Sequence, residues 1–383
     1  MPLLIQNKQI DRVFSATELF SKYSHLKENA KIFRSKPLVT VDPKCLLYVQ
    51  QREFAATKPA DSSVSVIGSD DATTCHLVVL RHTGSGATCL AHLDGSSTWT
   101  EVPLLVSAVT ALSNRAKAGR LELHLVGGFD DDKKTSHKLS REILAAFQKQ
   151  KEEIHLETCC ITDMNDVVTD GIHRPIIYGI GVNVKTGEVF PAVFTHKGPA
   201  EDLRSARSFT GGQLAEVYDC SKEQVKIGPC RWPLSTDIAF WLDEDDKTIL
   251  QYLSTSPYAE PPHFVQHIKS TIRFLLEHLN ADILFPGGQP QLFQRSEQGE
   301  LITQTLKQNS AICAKMHTEV EQKKPPTLQT RGKIALLKAD EDMFRHRIAS
   351  LPGNRPNMKT KRDSGDLKDE DIRTVEMGWM GNI

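Results

Sequence analysis

Hydrophobic and polar residues alternate with a period of two along several short stretches of the chain. Two apolar runs flank the Thr-Gly-Ser-Gly turn at residues 83–86 and predict a β-hairpin across residues 75–94. Similar runs predict further strands at residues 46–54, 63–69, 121–126 and 154–161, a second hairpin at 176–184 and 188–194, and another candidate hairpin at 215–227. Much of the chain is therefore expected to form β-sheet.

A helical period appears between these strands. Apolar residues recur with helical spacing at residues 102–117 and 136–151, and most regularly at 261–279, where Pro261 and Pro262 suit a first helical turn. Hairpins mixed with amphipathic helices are typical of an α+β protein, in which a mixed sheet is covered by helices. We expect that fold class rather than a doubly wound parallel sheet.

The pattern fades towards the end of the chain. Beyond about residue 306 the apolar runs become short, and residues 358–371 are nearly all polar. Such a composition buries too little apolar surface to offset the entropy lost on ordering. We therefore predict one domain at residues 1–305 and a mostly disordered tail at 306–383, with a short helix near 340–348.

Composition narrows the class of protein further. The 383 residues are 39% hydrophobic and 25% charged with a net charge of −1, which gives no reason to expect nucleic acid or an anionic membrane as a partner. The first residues do not resemble a signal peptide, and the eight cysteines lack the spacing of a disulfide scaffold. We expect a monomer with reduced thiols in the cytoplasm, with the nucleus as a second compartment.

The register of the first hairpin brings a thiol close to an imidazole. If Gly84 and Ser85 form a two-residue loop, the numbers of two residues that pair across the hairpin add up to 169. Cys75 then lies opposite Asp94 and diagonal to His92. Diagonal neighbours on one face are about 7–8 Å apart, which side chains can bridge. A loop longer by one residue would turn His92 to the other face.

Cys75 is the candidate nucleophile in this arrangement. A free cysteine is usually a small buried hydrophobe, but Cys75 directly follows a polar turn that starts at Ser69. Backbone N–H groups and hydroxyls of that turn can stabilise an oxyanion, and His92 can act as base and hold the thiol as thiolate. Strand parity assigns Cys89 to the apolar face, and packing within a strand is preferred for Cys159 and Cys160.

The other histidines of the hairpin are interpreted as structural. His76 and His82 alternate with apolar residues on the face opposite Cys75. A zinc site made of Cys75, His76, Cys89 and His92 is an alternative, but the close spacing typical of zinc ligands is missing.

A carboxylate near the long helix has two interpretations. Glu260 precedes the apolar stripe of residues 261–279, where a negative charge is favoured by the helix dipole. It can equally face a pocket that binds a cation. The sequence alone does not separate these alternatives.

Long ungapped stretches of the chain resemble a known family, the eukaryotic protein N-terminal asparagine amidohydrolases. The resemblance is carried by residues 46–53 (Leu-Leu-Tyr-Val-Gln-Gln-Arg-Glu), 68–84 and 253–267, and it extends over roughly residues 1–300. It implies that Cys75 is the nucleophile of an enzyme that converts N-terminal asparagine to aspartate. The new N-terminus would then be arginylated and the protein ubiquitinated and degraded.

A more distant resemblance concerns the spacing of the candidate site. Bacterial chemoreceptor glutamine deamidases have a threonine, a cysteine and a histidine at the separations seen here between Ser69, Cys75 and His92. The serine keeps the hydroxyl, so a supporting role is implied for Ser69. Cys-His deamidase toxins share this architecture, which implies a layered, deamidase-like sandwich of mixed or antiparallel sheets covered by helices.

These resemblances predict a hydrolase of N-terminal asparagine that needs no metal or other cofactor. Selecting an N-terminal residue requires a partner for its α-ammonium group, because a buried unpaired charge is costly. Glu260 and Asp94 are the candidates, although Asp94 can instead orient His92. Two alternatives stay open, a deamidase of internal glutamine or asparagine side chains and a non-catalytic adaptor that binds N-termini.

Overall fold

Two sheets dominate the computed structural model, which describes residues 3–303 apart from 11, 13, 14, 114–117, 234, 235, 297 and 298. The strands are β1 (Leu3–Ile5), β2 (Lys8–Gln9), β3 (Val39–Thr40), β4 (Leu46–Tyr48), β5 (Glu53–Thr57), β6 (Val66–Ser69), β7 (His76–His82), β8 (Thr88–Leu93), β9 (Leu121–Gly127), β10 (Ile154–Ile161), β11 (Asp166–Thr169), β12 (Ile172–Pro175), β13 (Ile180–Asn183), β14 (Val189–Val193), β15 (Ala215–Glu216), β16 (Tyr218–Asp219), β17 (Gln224–Ile227), β18 (Gln291–Arg295) and β19 (Leu301–Thr303). The α-helices are α1 (Ala16–Lys22), α2 (Ser24–Arg34), α3 (Thr98–Leu112), α4 (Thr135–Gln148), α5 (Glu201–Phe209), α6 (Asp246–Leu253) and α7 (Phe264–Glu277). The predicted tail at residues 306–383 lies outside the described residues.

The larger sheet has eight strands in the order β15-β5-β8-β7-β9-β10-β1-β2. It is mixed, since β7 runs antiparallel to both β8 and β9 whereas β10 runs parallel to β9 and to β1. A second, five-stranded sheet has the order β3-β14-β13-β6-β4, and smaller sheets contain β16 to β19 and the pair β11-β12. The prediction of an α+β protein is confirmed, while a deamidase-like layered sandwich stays a prediction.

The larger sheet is buried on both faces, and its central strands β7 and β8 accordingly carry nearly continuous apolar runs. Val78 and Leu80 of β7 point towards the side of α3 and α4, where they join a core that includes Leu105 and Phe147. Leu77 and other residues of the opposite face join a core that includes residues of β6 and β13 from the second sheet. Within the described part of the chain, every helix is too short or too polar to cross a bilayer.

The predicted hairpin has the expected register but a longer loop. Leu77 pairs with His92 and Arg81 with Thr88, so paired residue numbers sum to 169. The strands are connected by residues 83–86, and the Gly86 N–H donates to the His82 carbonyl at 2.8 Å. The predicted two-residue loop is therefore wrong, but a four-residue loop adds one residue to each side and so preserves the register.

The predicted strand at residues 46–54 is divided into β4 and β5. Arg52 adopts a left-handed conformation with φ of 59°, and the Glu53 N–H donates to the Gln50 carbonyl at 3.1 Å. The chain thereby leaves the five-stranded sheet and enters the eight-stranded one. This crossing places residues 49–52 between the two sheets, next to the candidate site.

Candidate active site

One cavity of about 220 Å³ contains most of the candidate residues. It is lined by the crossing segment, by the turn before β7, by the end of β8, by α5, and by the segment between α6 and α7. The residues that line the cavity include Gln50, Asp70, Asp71, Cys75, His92, Asp94, Lys197, Glu260 and His263. The sequence-predicted residues Cys75, His92, Asp94 and Glu260 are therefore brought together.

Cys75 lies immediately before β7, at the end of the polar turn that begins in β6. Its thiol is half-buried, and its carbonyl accepts a hydrogen bond from the Gly128 N–H at 2.9 Å. Burial raises the pKa of the thiol well above its usual value, and the negative charges of Asp94 and Glu260 raise it further against the opposing effect of Arg52. The thiol is therefore protonated at neutral pH in the absence of substrate.

His92 is held by Ser69 across the gap between the two sheets. The Ser69 hydroxyl lies 2.8 Å from Nδ1 of His92, and both side chains are buried. Burial lowers the pKa of His92 to about 4, so the ring is neutral. The pKa shifts of both side chains favour a neutral thiol and a neutral imidazole in the free protein, so burial opposes the thiolate that was expected from the sequence.

The second nitrogen of this ring is available for chemistry. His92 Nε2 is buried and has no hydrogen-bond partner among the described residues. In the tautomer in which Nδ1 donates to the Ser69 hydroxyl, Nε2 carries the lone pair that a general base needs. Cys75 and His92 line the same cavity, although no hydrogen bond joins Cys75 Sγ to His92 Nε2 in the described structure.

The remaining hairpin residues have structural environments, as predicted. His76 lies on the opposite face of the sheet, with Nε2 2.6 Å from the Ser140 hydroxyl, and His82 Nδ1 lies 2.9 Å from the Ser85 hydroxyl. Cys89 is fully buried in the core on the helix side, and Cys159 and Cys160 are buried strand residues. The four ligands of the zinc alternative therefore lie on two different faces of one sheet and do not converge.

A cluster elsewhere has the donor atoms of a metal site but is already occupied by protein partners. Donor atoms of Asp130, His137 and Asp163 lie within 4.8 Å of one another. Asp130 is paired with Lys134, and Asp163 accepts from the Thr17 hydroxyl at 3.0 Å. These residues do not line the cavity, so they enter no step of the chemistry proposed below.

Asp94 contacts cationic and amide groups of the crossing segment. Its carboxylate lies 2.5 Å from Arg52 Nε and accepts from Gln51 Nε2 at 2.9 Å. The Arg52 charge and these hydrogen bonds outweigh burial and lower the pKa of Asp94. Ser69, rather than Asp94, is the hydrogen-bond partner that orients His92.

Glu260 has a different environment: among the described residues neither lysine nor arginine forms an ion pair with it, and the charges that act on its pKa include those of Asp71 and His263. It precedes α7, which begins at Phe264, and it accepts a hydrogen bond from the Ser254 hydroxyl. Burial raises the pKa of Glu260 to about 7. Among the two interpretations of the sequence, the structure favours a carboxylate that faces a pocket.

The sequence did not predict a charged network on the cavity wall. Lys197 Nζ contacts both Asp70 and Asp71, the Tyr48 hydroxyl donates to Asp70 at 2.5 Å, and His263 Nε2 lies 2.9 Å from Asp71. The two adjacent aspartates were visible only as part of a polar turn. Lys197 lies more than a hundred residues further along the chain, and no local pattern links it to them.

Comparison with known proteins identifies the family of this chain. The model of the family described as protein N-terminal asparagine amidohydrolase matches residues 36–303. A protein of that name from Mus musculus is 51% identical over 300 residues, which are 78% of this chain and 97% of the relative; the protein from Homo sapiens is 49% identical with the same coverage. A relative from Arabidopsis thaliana is 33% identical over 279 residues, covering 66% of this chain and 79% of the relative. This chain therefore belongs to the protein N-terminal asparagine amidohydrolase family.

Proposed function

We propose that this chain hydrolyses the side-chain amide of an N-terminal asparagine in proteins and peptides, with Cys75 as nucleophile and His92 as acid and base. The observation that carries the proposal is the environment of His92: Ser69 holds Nδ1, while Nε2, unpartnered among the described residues, belongs to a side chain that lines one cavity with Cys75. The names of the relatives supply the substrate.

The first half of the reaction transfers the acyl group to sulfur. His92 Nε2 takes the thiol proton as Sγ attacks the carboxamide carbon, so a thiolate forms only during attack. The electron pair of the carbonyl π bond moves to oxygen, where donors of the turn before Cys75 stabilise it. His92 then protonates the departing nitrogen, the C–N bond breaks, and ammonia leaves a thioester on Cys75.

The second half returns the enzyme to its starting state. Neutral His92 removes a proton from water, the resulting hydroxide equivalent attacks the thioester carbon, and the thiolate leaves and takes back the proton. The product is an N-terminal aspartate. In the family that this chain resembles, such an N-terminus is arginylated and leads to ubiquitin-dependent degradation, and we propose the same place for this product.

The electrostatics of the cavity favour Glu260 as the partner of the substrate α-ammonium group. Asp94 is paired with Arg52, and Asp70 and Asp71 share Lys197. Glu260 accepts a hydroxyl hydrogen bond instead, and no ion pair involves it within the described part of the chain. A substrate ammonium group should therefore be stabilised most by an ion pair with Glu260, and Asp94 is the second candidate.

The activity itself is tested with purified protein and a peptide that starts with asparagine. We expect release of ammonia together with the mass increase of deamidation at the first residue. A deamidase of internal side chains would act equally on an N-acetylated peptide and on internal glutamine or asparagine. A non-catalytic adaptor would bind the peptide without ammonia release, and either result would contradict the proposal.

Replacing Glu260 with glutamine should reduce discrimination in favour of a free N-terminus. A charge-assisted hydrogen bond contributes about 1.5–3 kcal/mol, so kcat/KM for Asn-starting peptides should fall roughly 10–150-fold. The ratio of kcat/KM for the free peptide to kcat/KM for the N-acetylated peptide should fall as well.

The pH dependence gives a second test of Glu260. Because the pKa of Glu260 is about 7, kcat/KM of the unmodified protein should decrease as the pH falls through this value, and kcat/KM of the variant should not show this decrease.

A buried glutamate outside the cavity provides the matched control. Burial also raises the pKa of Glu101 to about 7, yet Glu101 does not line the cavity. Glu101→Gln should keep the ratio of free to acetylated peptide. An unchanged ratio in Glu260→Gln would remove Glu260 from the substrate site. Because the Glu260 charge also raises the pKa of Cys75, alkylation of the thiol should be faster in this variant, while an unchanged melting temperature shows that it remains folded.

A further inference from the structure

Gln50 occupies the place where the chain crosses between the two sheets, beside the pair formed by Ser69 and His92. On one side the Val49 N–H donates to the carbonyl of Gly68, the neighbour of Ser69, at 2.8 Å. On the other side the Arg52 N–H donates to the carbonyl of His92 at 3.0 Å. The backbone of Gln50 is thus fixed between the strands that carry the two members of the pair.

The side-chain amide of Gln50 is oriented but incompletely bonded. Its Oε1 accepts a hydrogen bond from the Ser205 hydroxyl at 3.2 Å, and the residue is 9% exposed. Its Nε2 is buried and has no partner within the part of the chain that the structure describes. A buried N–H group without an acceptor is costly, and native structures rarely keep one without a reason.

The position of this amide supplies a reason. Two residues that line the cavity, Gln50 and His92, each have a buried side-chain nitrogen without a hydrogen-bond partner among the described residues. In the proposed function, His92 uses this nitrogen for proton transfer. The neighbouring Gln51 differs, because its Nε2 donates to Asp94 at 2.9 Å. An oriented N–H donor in the cavity is suited to an oxygen atom that only the substrate brings.

We infer that Gln50 Nε2 donates a hydrogen bond to the carboxamide oxygen of the substrate and retains it as that oxygen becomes an oxyanion. The inference rests on the proposed function. In the step concerned, the bond from Cys75 Sγ to carbon forms, the carbonyl π electrons move to oxygen, and His92 holds the thiol proton. Gln50 transfers no proton; it stabilises the charge alongside the donors of the turn before Cys75.

The test compares Gln50→Met and Gln50→Glu with the unmodified protein on an Asn-starting peptide. Both side chains resemble glutamine in shape but have no N–H donor at this position. We expect kcat to fall about 10²–10³-fold with a small change in KM, because the donor acts mainly on the developing charge. The melting temperature of Gln50→Met should change little, since the substitution removes an unpaired buried N–H group but also removes the acceptor of the Ser205 hydroxyl.

A second buried glutamine serves as the control. Gln224 in β17 is 5% exposed and does not line the cavity, so Gln224→Met should keep kcat. The inference is overturned if folded Gln50→Met keeps kcat within about threefold, or if only KM rises, which indicates uniform binding of substrate and transition state. Absence of deamidation by the unmodified protein would instead overturn the proposed function.

Discussion

Cys75→Ala is expected to lower kcat on an Asn-starting peptide by at least about 10⁴-fold, because no other group in the cavity is placed to form the covalent intermediate. The fold should be retained, since Cys75 is half-buried and follows the turn before β7 rather than lying within the strand. Ammonia release measures the activity. The unmodified protein should form a thioester on Cys75 that mass spectrometry detects after rapid acid quenching, and the variant should not.

Cys230 supplies a matched control for this result. It is also half-buried and packs against the same core as Cys75, but it does not line the cavity. Cys230→Ala should therefore keep kcat. Substantial turnover by purified Cys75→Ala, or a thioester on another cysteine, would show that the nucleophile has been misassigned.

The neutral resting state has a consequence for selectivity. Burial, together with the charges of Asp94 and Glu260, raises the pKa of the Cys75 thiol, which disfavours the thiolate in the free protein. If Glu260 binds the substrate ammonium group as proposed, that group would cancel part of this negative field when the carboxamide arrives. Recognition of the α-amine would then be coupled to activation of the thiol, which would favour N-terminal asparagine over the same residue inside a chain.

The hairpin was predictable because strong local constraints determine it. Side chains alternate strictly across a strand, so a shift of one residue would have moved Leu77 into the core on the helix side and Val78 into the core on the opposite side. The loop length was wrong by one residue on each side, an error that cancels in the register. That cancellation is why the proximity of Cys75 and His92 could be derived without the structure.

Other parts of the site could not be predicted from local pattern. The buried face of α5 carries Arg204 and Arg207, which pair with Glu53, so charged residues interrupt the apolar stripe by which amphipathic helices are found. The same limitation applies to Lys197, whose partners are brought to it only by the packing of distant segments. Charge pairs of this kind become visible only once the tertiary structure is known.

His92→Ala should lower kcat by about 10²–10⁴-fold, because proton transfer is needed in both halves of the reaction. Ser69→Ala should cost less, about 5- to 10-fold, since it removes one hydrogen bond that orients the ring and leaves the ring itself in place. Added imidazole should restore part of the activity of His92→Ala but none of that lost in Ser69→Ala. The measurement is kcat at saturating peptide, with folding checked by the melting temperature.

The opposite face of the sheet offers a pair of nearly identical chemistry as the control. His76 and Ser140 are both buried and hydrogen-bonded at 2.6 Å, and neither lines the cavity. Burial lowers the pKa of His76 to about 3, so it too is a neutral ring, and its loss should destabilise the protein about as much as loss of His92. If only stability mattered, the His76 and His92 variants would lose activity equally. A folded His76→Ala variant that loses more activity than His92→Ala would therefore contradict the assignment of His92 as the acid and base.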